Sequence, residues 1–195
     1  MEIRADDPHA GNALGVSLTM QGRHQEAERL LREVVAAQPA LAETRNNLAL
    51  VLARQDRMDE AEAEAREALR LQPGFPDAVK TLAGVLHVQG RYGEEVEVLE
   101  QLVADRPDDL EAAGRFGLAL ASAGECSRAL PQLRRSFDRF QGEVALLVSC
   151  ARCEEAAGDP GRARRLFEQV AQLAPPGTLR DEATAAIERL ALGER

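Results

Sequence analysis

The sequence predicts an all-α solenoid built from antiparallel helix pairs. Three observations predict it: a repeat of 34 residues, a helix-forming composition, and the absence of strand patterning.

The segment "GRHQEAERLLREVVAAQP" at 22–39 returns as "DRMDEAEAEAREALRLQP" at 56–73 and as "GRYGEEVEVLEQLVADRP" at 90–107. "GECSRALPQLRRSFDRFQ" at 124–141 and "GDPGRARRLFEQVAQLAP" at 158–175 keep the step. A 34-residue period held through five copies without insertion implies stacked units, each burying its apolar face only against its neighbours. The chain divides into an N-terminal stub at 1–7, repeats at 8–41, 42–75, 76–109, 110–143 and 144–177, and a C-terminal capping helix at 178–195.

Composition agrees. The chain is 45% hydrophobic but 3% aromatic, with no Trp and abundant Ala, Leu, Glu and Arg, all strong helix formers. No stretch alternates apolar and polar residues with β-branched enrichment, so no strand is expected.

Charge narrows the partners. With 33 acidic and 24 basic residues the net charge is -9, and a phosphate-binding surface needs a basic excess, so nucleic acid is not expected. No apolar run reaches the roughly 18 residues of a membrane-spanning helix. "MEIRADDPHAG" lacks the basic start and apolar core of a secretory signal. Three cysteines, an odd count without disulfide-framework spacing, fit a reducing compartment, and the expected location is cytoplasmic.

Each repeat reads as helix A, a turn, helix B and a stop. Position 8 is Gly15, Ala49, Ala83, Gly117 and Ala151; position 20 is Ala27, Ala61, Glu95, Ala129 and Ala163. Short side chains there let two helices approach closely. Facing them are position 11 (Leu18, Leu52, Leu86, Leu120, Glu154) and position 24 (Leu31, Ala65, Leu99, Leu133, Phe167). Position 15, Gly in four repeats and Asp56 in the second, ends helix A, where a left-handed residue is least costly as Gly. Pro39, Pro73, Pro107 and Pro175 at position 32 stop helix B.

The pairs Leu14-Gly15, Leu48-Ala49, Leu82-Ala83 and Phe116-Gly117, with Ala at position 20 and Pro at 32, resemble the tetratricopeptide repeat. The resemblance covers residues 8–177. It implies a right-handed superhelix whose A helices line a concave groove, and a non-catalytic scaffold that seats a peptide or helix of another protein there.

Several residues depart from the pattern. Glu95 stands in a small position, and Glu154 in a core position, where it is expected to reach solvent or pair with an arginine. Gln141 replaces the terminal Pro, leaving Gly142 as separator. Pro131 falls near the start of its B helix, where a missing N–H costs least. Thr178 is the expected N-cap of the capping helix.

Chemistry is sparse. Cys150 and Cys153 form a C-x-x-C, but at positions 7 and 10, mid-helix, so two small buried side chains are expected rather than a redox pair or half a zinc site. His9, His24 and His87 lie in different registers. "GDPGRARR" reads as a turn with Asp159 capping a helix that Pro160 begins, not as a phosphate loop. With no nucleophile–base pair, no enzyme activity, cofactor or metal is expected.

The resemblance directs helix A positions 2, 5, 6, 9, 12 and 13 to the groove. The peptide-binding candidates are Asn12, Val16, Asn46, Asn47, Leu50, Arg54, Lys80, His87, Arg115, Leu118 and Arg152. Lys80, Arg115, Arg152 and Arg54 favour an acidic or C-terminal peptide, while Glu43, Asp77 and Glu111 offer them intramolecular partners instead. The family's clamp for chaperone C-termini is disfavoured, since each starting register matches at one residue only: Asn47, Arg115 or Lys80. Two alternatives stay open: self-assembly into a homo-oligomer, and a docking arm of a larger enzyme.

Overall fold

The computed structural model describes residues 8–137 and 143–193. The expectations for the stub at 1–7, Gln141 and Gly142 lie outside them. The described residues form eleven α-helices and no strand. They are α1 (Pro8–Met20), α2 (His24–Ala37), α3 (Ala42–Arg54), α4 (Met58–Leu71), α5 (Pro76–Val88), α6 (Tyr92–Asp105), α7 (Leu110–Ser122), α8 (Cys126–Phe137), α9 (Val144–Ala156), α10 (Pro160–Leu173) and α11 (Thr178–Gly193). The odd-numbered helices through α9 begin at Pro8, Ala42, Pro76, Leu110 and Val144, in step with the sequence period.

Each A helix ends in the same local chemistry. Gly22, Gly90, Gly124 and Gly158 have φ between 72° and 82°, and Asp56 takes φ 61° in the same place. The next residue's N–H then reaches back to a carbonyl near the helix end: Arg23 to Leu18, Arg57 to Leu52, Arg91 to Leu86, Glu125 to Leu120 and Asp159 to Glu154, at 2.8–3.0 Å. This bond satisfies a carbonyl that the helix itself leaves open.

The chain forms two compact units, Met1–Leu102 and Val103–Arg195. In the first, α1 packs on α2 and α3 on α4, with α3 against α1 and α5. One core there joins Leu18, Ala27, Leu31, Leu48, Leu52, Ala61 and Val85. In the second, α7 packs on α8, α9 on α10, and α11 on α10. Leu120, Leu133, Leu146 and Leu147 are among its largest fully buried side chains, each contributing about 1.5–3 kcal/mol by leaving water.

Small residues face large ones as the repeat requires. A Cβ added to Gly15 would stand 2.6 Å from Leu31, and one on Gly117 would stand 2.9 Å from the Leu133 side chain. Asp159 caps α10, its Oδ1 accepting from the Arg162 N–H at 2.9 Å, with Pro160 following.

Three expectations are corrected. Pro131 lies inside α8, past its first turn, and so removes a helical hydrogen bond. Thr178 is the first residue of α11 rather than its cap; the Gly177 carbonyl accepts from Asp181 N–H at 3.1 Å. The cysteines are not three separate thiols: Cys126 is bonded to Cys153, while Cys150 is free and buried. The spacing argument looked along one helix, whereas this pair joins the start of α8 to the last turns of α9, 27 residues apart.

Candidate functional site

The A helices of the first unit carry an uncovered apolar strip. Val16 on α1 and Leu50 on α3, both at position 9, are each 39% exposed, and Met20 and Val88 are 84% and 63% exposed. An isolated exposed apolar residue is ordinary; here Val16 and Met20 lie one turn apart on α1, and Leu50 and Val88 take positions 9 and 13 of the next two A helices. At Gly84, the position 9 residue of α5, an added Cβ would meet nothing within 4 Å.

The asparagines sit deeper than the strip. Asn12 and Asn46 are buried, and Asn47 is half-buried. Asn47 Nδ2 donates to Asn12 Oδ1 at 2.7 Å, tying α3 to α1. The Oδ1 of Asn46 is buried without a hydrogen-bond partner. Arg54 and His87 are exposed and Lys80 is half-buried. His87 Nδ1 lies 2.9 Å from Glu95 Oε2, and its ring meets Tyr92 edge-on with centroids 5.4 Å apart. Glu95, in the small position, is thus buried with a hydrogen-bond partner.

In the second unit the basic candidates face carboxylates. Arg115 pairs with Glu111 at 3.3 Å and Arg152 with Glu182 of α11 at 3.1 Å. Leu118 is half-buried. A cleft of about 280 Å³ lies between α9, α10 and α11, lined by Val148, Phe167, Leu179 and Ala186. Arg152–Glu182 and Arg189–Glu155, the latter at 2.7 Å, link its walls.

An ion-pair ladder connects successive helix pairs of the first unit. Arg57 binds Glu60 on its own helix side at 2.6 Å and Glu28 of the preceding pair at 2.8 Å. Arg91 repeats this with Glu94 at 2.7 Å and Glu62 at 2.6 Å. Burial raises the Glu28 carboxyl, but hydrogen bonds from Gln55, Arg57 and Arg32 outweigh it and hold it below the usual range. Glu62 is lowered likewise, burial being overcome by hydrogen bonds from Arg66 and Arg91. The signal was present: Arg at position 16 and Glu at 19 recur in three repeats, and Glu at 21 in two.

Among the described residues no group of three His, Cys, Asp or Glu side chains is arranged to hold a metal ion, and no helix is long and apolar enough to cross a membrane.

Residues 12–76, 46–109 and 115–178 match the family profile described as Tetratricopeptide repeat. No curated protein matches the chain in sequence. Among solved structures, YrrB, described as a TPR protein with an unusual peptide-binding site, superposes with a TM-score of 0.76 at 18% identity, covering 92% of both chains. MamA from Desulfovibrio magneticus RS-1 gives 0.75 at 21% identity, covering 86% of this chain and 95% of that one. PilF of Pseudomonas aeruginosa gives 0.74 at 19% identity, covering 95% and 89%. At these identities the likeness is one of fold.

Proposed function

Since the chain belongs to the tetratricopeptide repeat family, we propose that it is a non-catalytic scaffold that seats a segment of another protein on the A-helix face of its first unit. The observation that carries this reading is the uncovered strip of Val16, Leu50, Met20 and Val88. Asn47 borders the strip as a polar side chain held in place by Asn12, and the open space at Gly84 leaves room for an incoming side chain. Arg54 and Lys80 favour an acidic group beside the apolar anchors. In the second unit Arg115 and Arg152 engage carboxylates of the same chain. That YrrB is described as having a peptide-binding site supports the class of function.

The test is to select peptides from a displayed random library on the full chain and measure their affinity for variants. Val16→Glu with Leu50→Glu is expected to weaken selected peptides at least about tenfold, since each lost apolar contact removes on the order of 1 kcal/mol. Arg115→Glu is expected to leave them unchanged. Peptides indifferent to the double variant would remove the site from this face. A second reading, self-association through the same strip, follows from the exposure of Met20 and Val88. It requires a molar mass that rises with concentration in light scattering, and a constant monomer mass across the micromolar range would exclude it.

A further inference from the structure

We propose that Cys126 and Cys153 are a reversible thiol–disulfide site, in which Cys126 is the entering thiol and Cys153 the buried one that closes the bond. Their Cα atoms lie 4.9 Å apart, inside the span of about 4.4–6.8 Å that a disulfide bridges without moving the backbone. The two sulfurs differ in access. Cys126 is half-buried and opens α8, where free backbone N–H groups and the positive helix end favour a thiolate. The adjacent carboxylate of Glu125 is engaged by Arg128 at 2.7 Å, which offsets its charge. Cys153 is 1% exposed, so a reagent in solvent meets Cys126 first.

Cys150, three residues before Cys153, is excluded from the pair. It is buried and remains free, and burial pushes its thiol up to about 11, with the charge of Glu154 adding to the effect. Cys153 is bonded to Cys126 of the neighbouring helix, not to the Cys150 that precedes it on α9. The C-x-x-C spacing is therefore not the reactive unit; the partner of Cys153 comes from the neighbouring helix.

The chemistry balances with a low-molecular-weight disulfide as oxidant. The Cys126 thiolate attacks one sulfur of that disulfide, forming a mixed disulfide and releasing one small thiolate. The Cys153 sulfur then attacks the Cys126 sulfur, giving up its proton and displacing the second small thiol. Two protein thiols are oxidised, and one small disulfide is reduced to two thiols. The product ties the start of α8 to α9, beside the point where Glu154 of α9 holds Arg134 of α8. By restricting the unfolded chain, the bond raises the stability of the second unit.

The full chain is fully reduced, then equilibrated in glutathione buffers from fully reduced to fully oxidised, trapped, and digested with trypsin without reductant. Cleavage at Arg152 places Cys150 and Cys153 on different peptides, so the connectivity is read directly by mass. The expected result is one peptide pair joined through Cys126 and Cys153, two hydrogens lighter than its reduced parts, with Cys150 free. Its formation should raise the unfolding temperature by about 5 °C or more. Cys126→Ser is expected to abolish both the link and the shift, while Cys150→Ser keeps both. A variant at the buried Cys153 is not required. A link through Cys150, a link between two chains, or three free thiols in oxidising buffer would overturn the proposal.

Discussion

Glu154 of α9 is 1% exposed and held by two arginines: Arg134 of α8 donates Nε and Nη2 to its two oxygens at 3.0 and 2.7 Å, and Arg162 of α10 approaches within 3.1 Å. Its position is Leu in the other four repeats. Both arginine side chains keep nearly half their surface in water, so the carboxylate carries most of the desolvation cost. Replacing a buried ion cluster by a well-packed apolar residue is often neutral or stabilising, whereas stripping its partners leaves an uncompensated charge. Glu154→Leu is therefore expected to stay within about 1 kcal/mol of the parent or exceed it. Arg134→Ala with Arg162→Ala is expected to lose about 3–5 kcal/mol. Urea unfolding of the two variants checks this, and equal losses from both would show that the carboxylate acts through packing alone.

The helical glycines Gly117 and Gly84 should respond to alanine with opposite signs. Three repeats carry Ala at the position of Gly117, so the sequence suggests a harmless change. Yet the added Cβ would sit 2.9 Å from the Leu133 side chain and 3.0 Å from the Leu133 backbone nitrogen, which cannot rotate away. Overpacking of that kind costs about 1–3 kcal/mol and outweighs the roughly 1 kcal/mol that Ala gains over Gly in a helix. At Gly84 nothing lies within 4 Å, so only the gain remains. Gly117→Ala should lower the unfolding midpoint and Gly84→Ala should raise it.

Asp56 holds the left-handed conformation that Gly adopts at the same place in the other four repeats. Aspartate tolerates this region better than most residues but still carries a Cβ. Asp56→Gly is expected to stabilise the first unit by about 0.5–1 kcal/mol, and Asp56→Val to destabilise it. Thermal unfolding of the three chains decides it; an unstable Asp56→Gly would mean that the aspartate side chain contributes more than its backbone costs.

How far these features were legible follows from the range of the forces involved. Helix starts at Ala42, Pro76, Leu110 and Val144 could be read because local residues set them: a turn residue, a proline, a period. The small residues at position 8 and the large ones at 24 were legible as a pattern that recurs through the repeats. That Glu154 needed an arginine followed from the cost of an unpaired charge, but which arginine required the packing of α8 and α10 against α9. The bond between Cys126 and Cys153 joins different registers of successive repeats, so no motif search along one helix finds it. Groove positions carried over from the family pattern located Val16 and Leu50 on an exposed face. They did not reveal that Asn12 and Asn46 are buried or that Arg152 meets Glu182, because those facts depend on neighbouring side chains.

The ladder through Glu28 and Glu62 predicts how the first unit responds to acid. Both carboxyls are lowered in the folded chain, burial opposing and hydrogen bonds from Gln55, Arg57 and Arg32 on Glu28, and from Arg66 and Arg91 on Glu62, prevailing. A depressed carboxylate contributes stability above its unfolded value, about 4.3 for Glu, and loses it as pH falls through the folded value. The unfolding temperature should therefore change little between pH 7 and about 5 and drop below about 4.5. Glu28→Gln with Glu62→Gln should start lower at pH 7 and fall less steeply below about 4.5, because the neutral amides have no charge to lose. The side chains of both glutamates are only 15% exposed, so salt should screen this contribution less than that of the exposed Arg23–Glu26 pair. Parallel pH curves for parent and variant would place the acid sensitivity on other carboxylates.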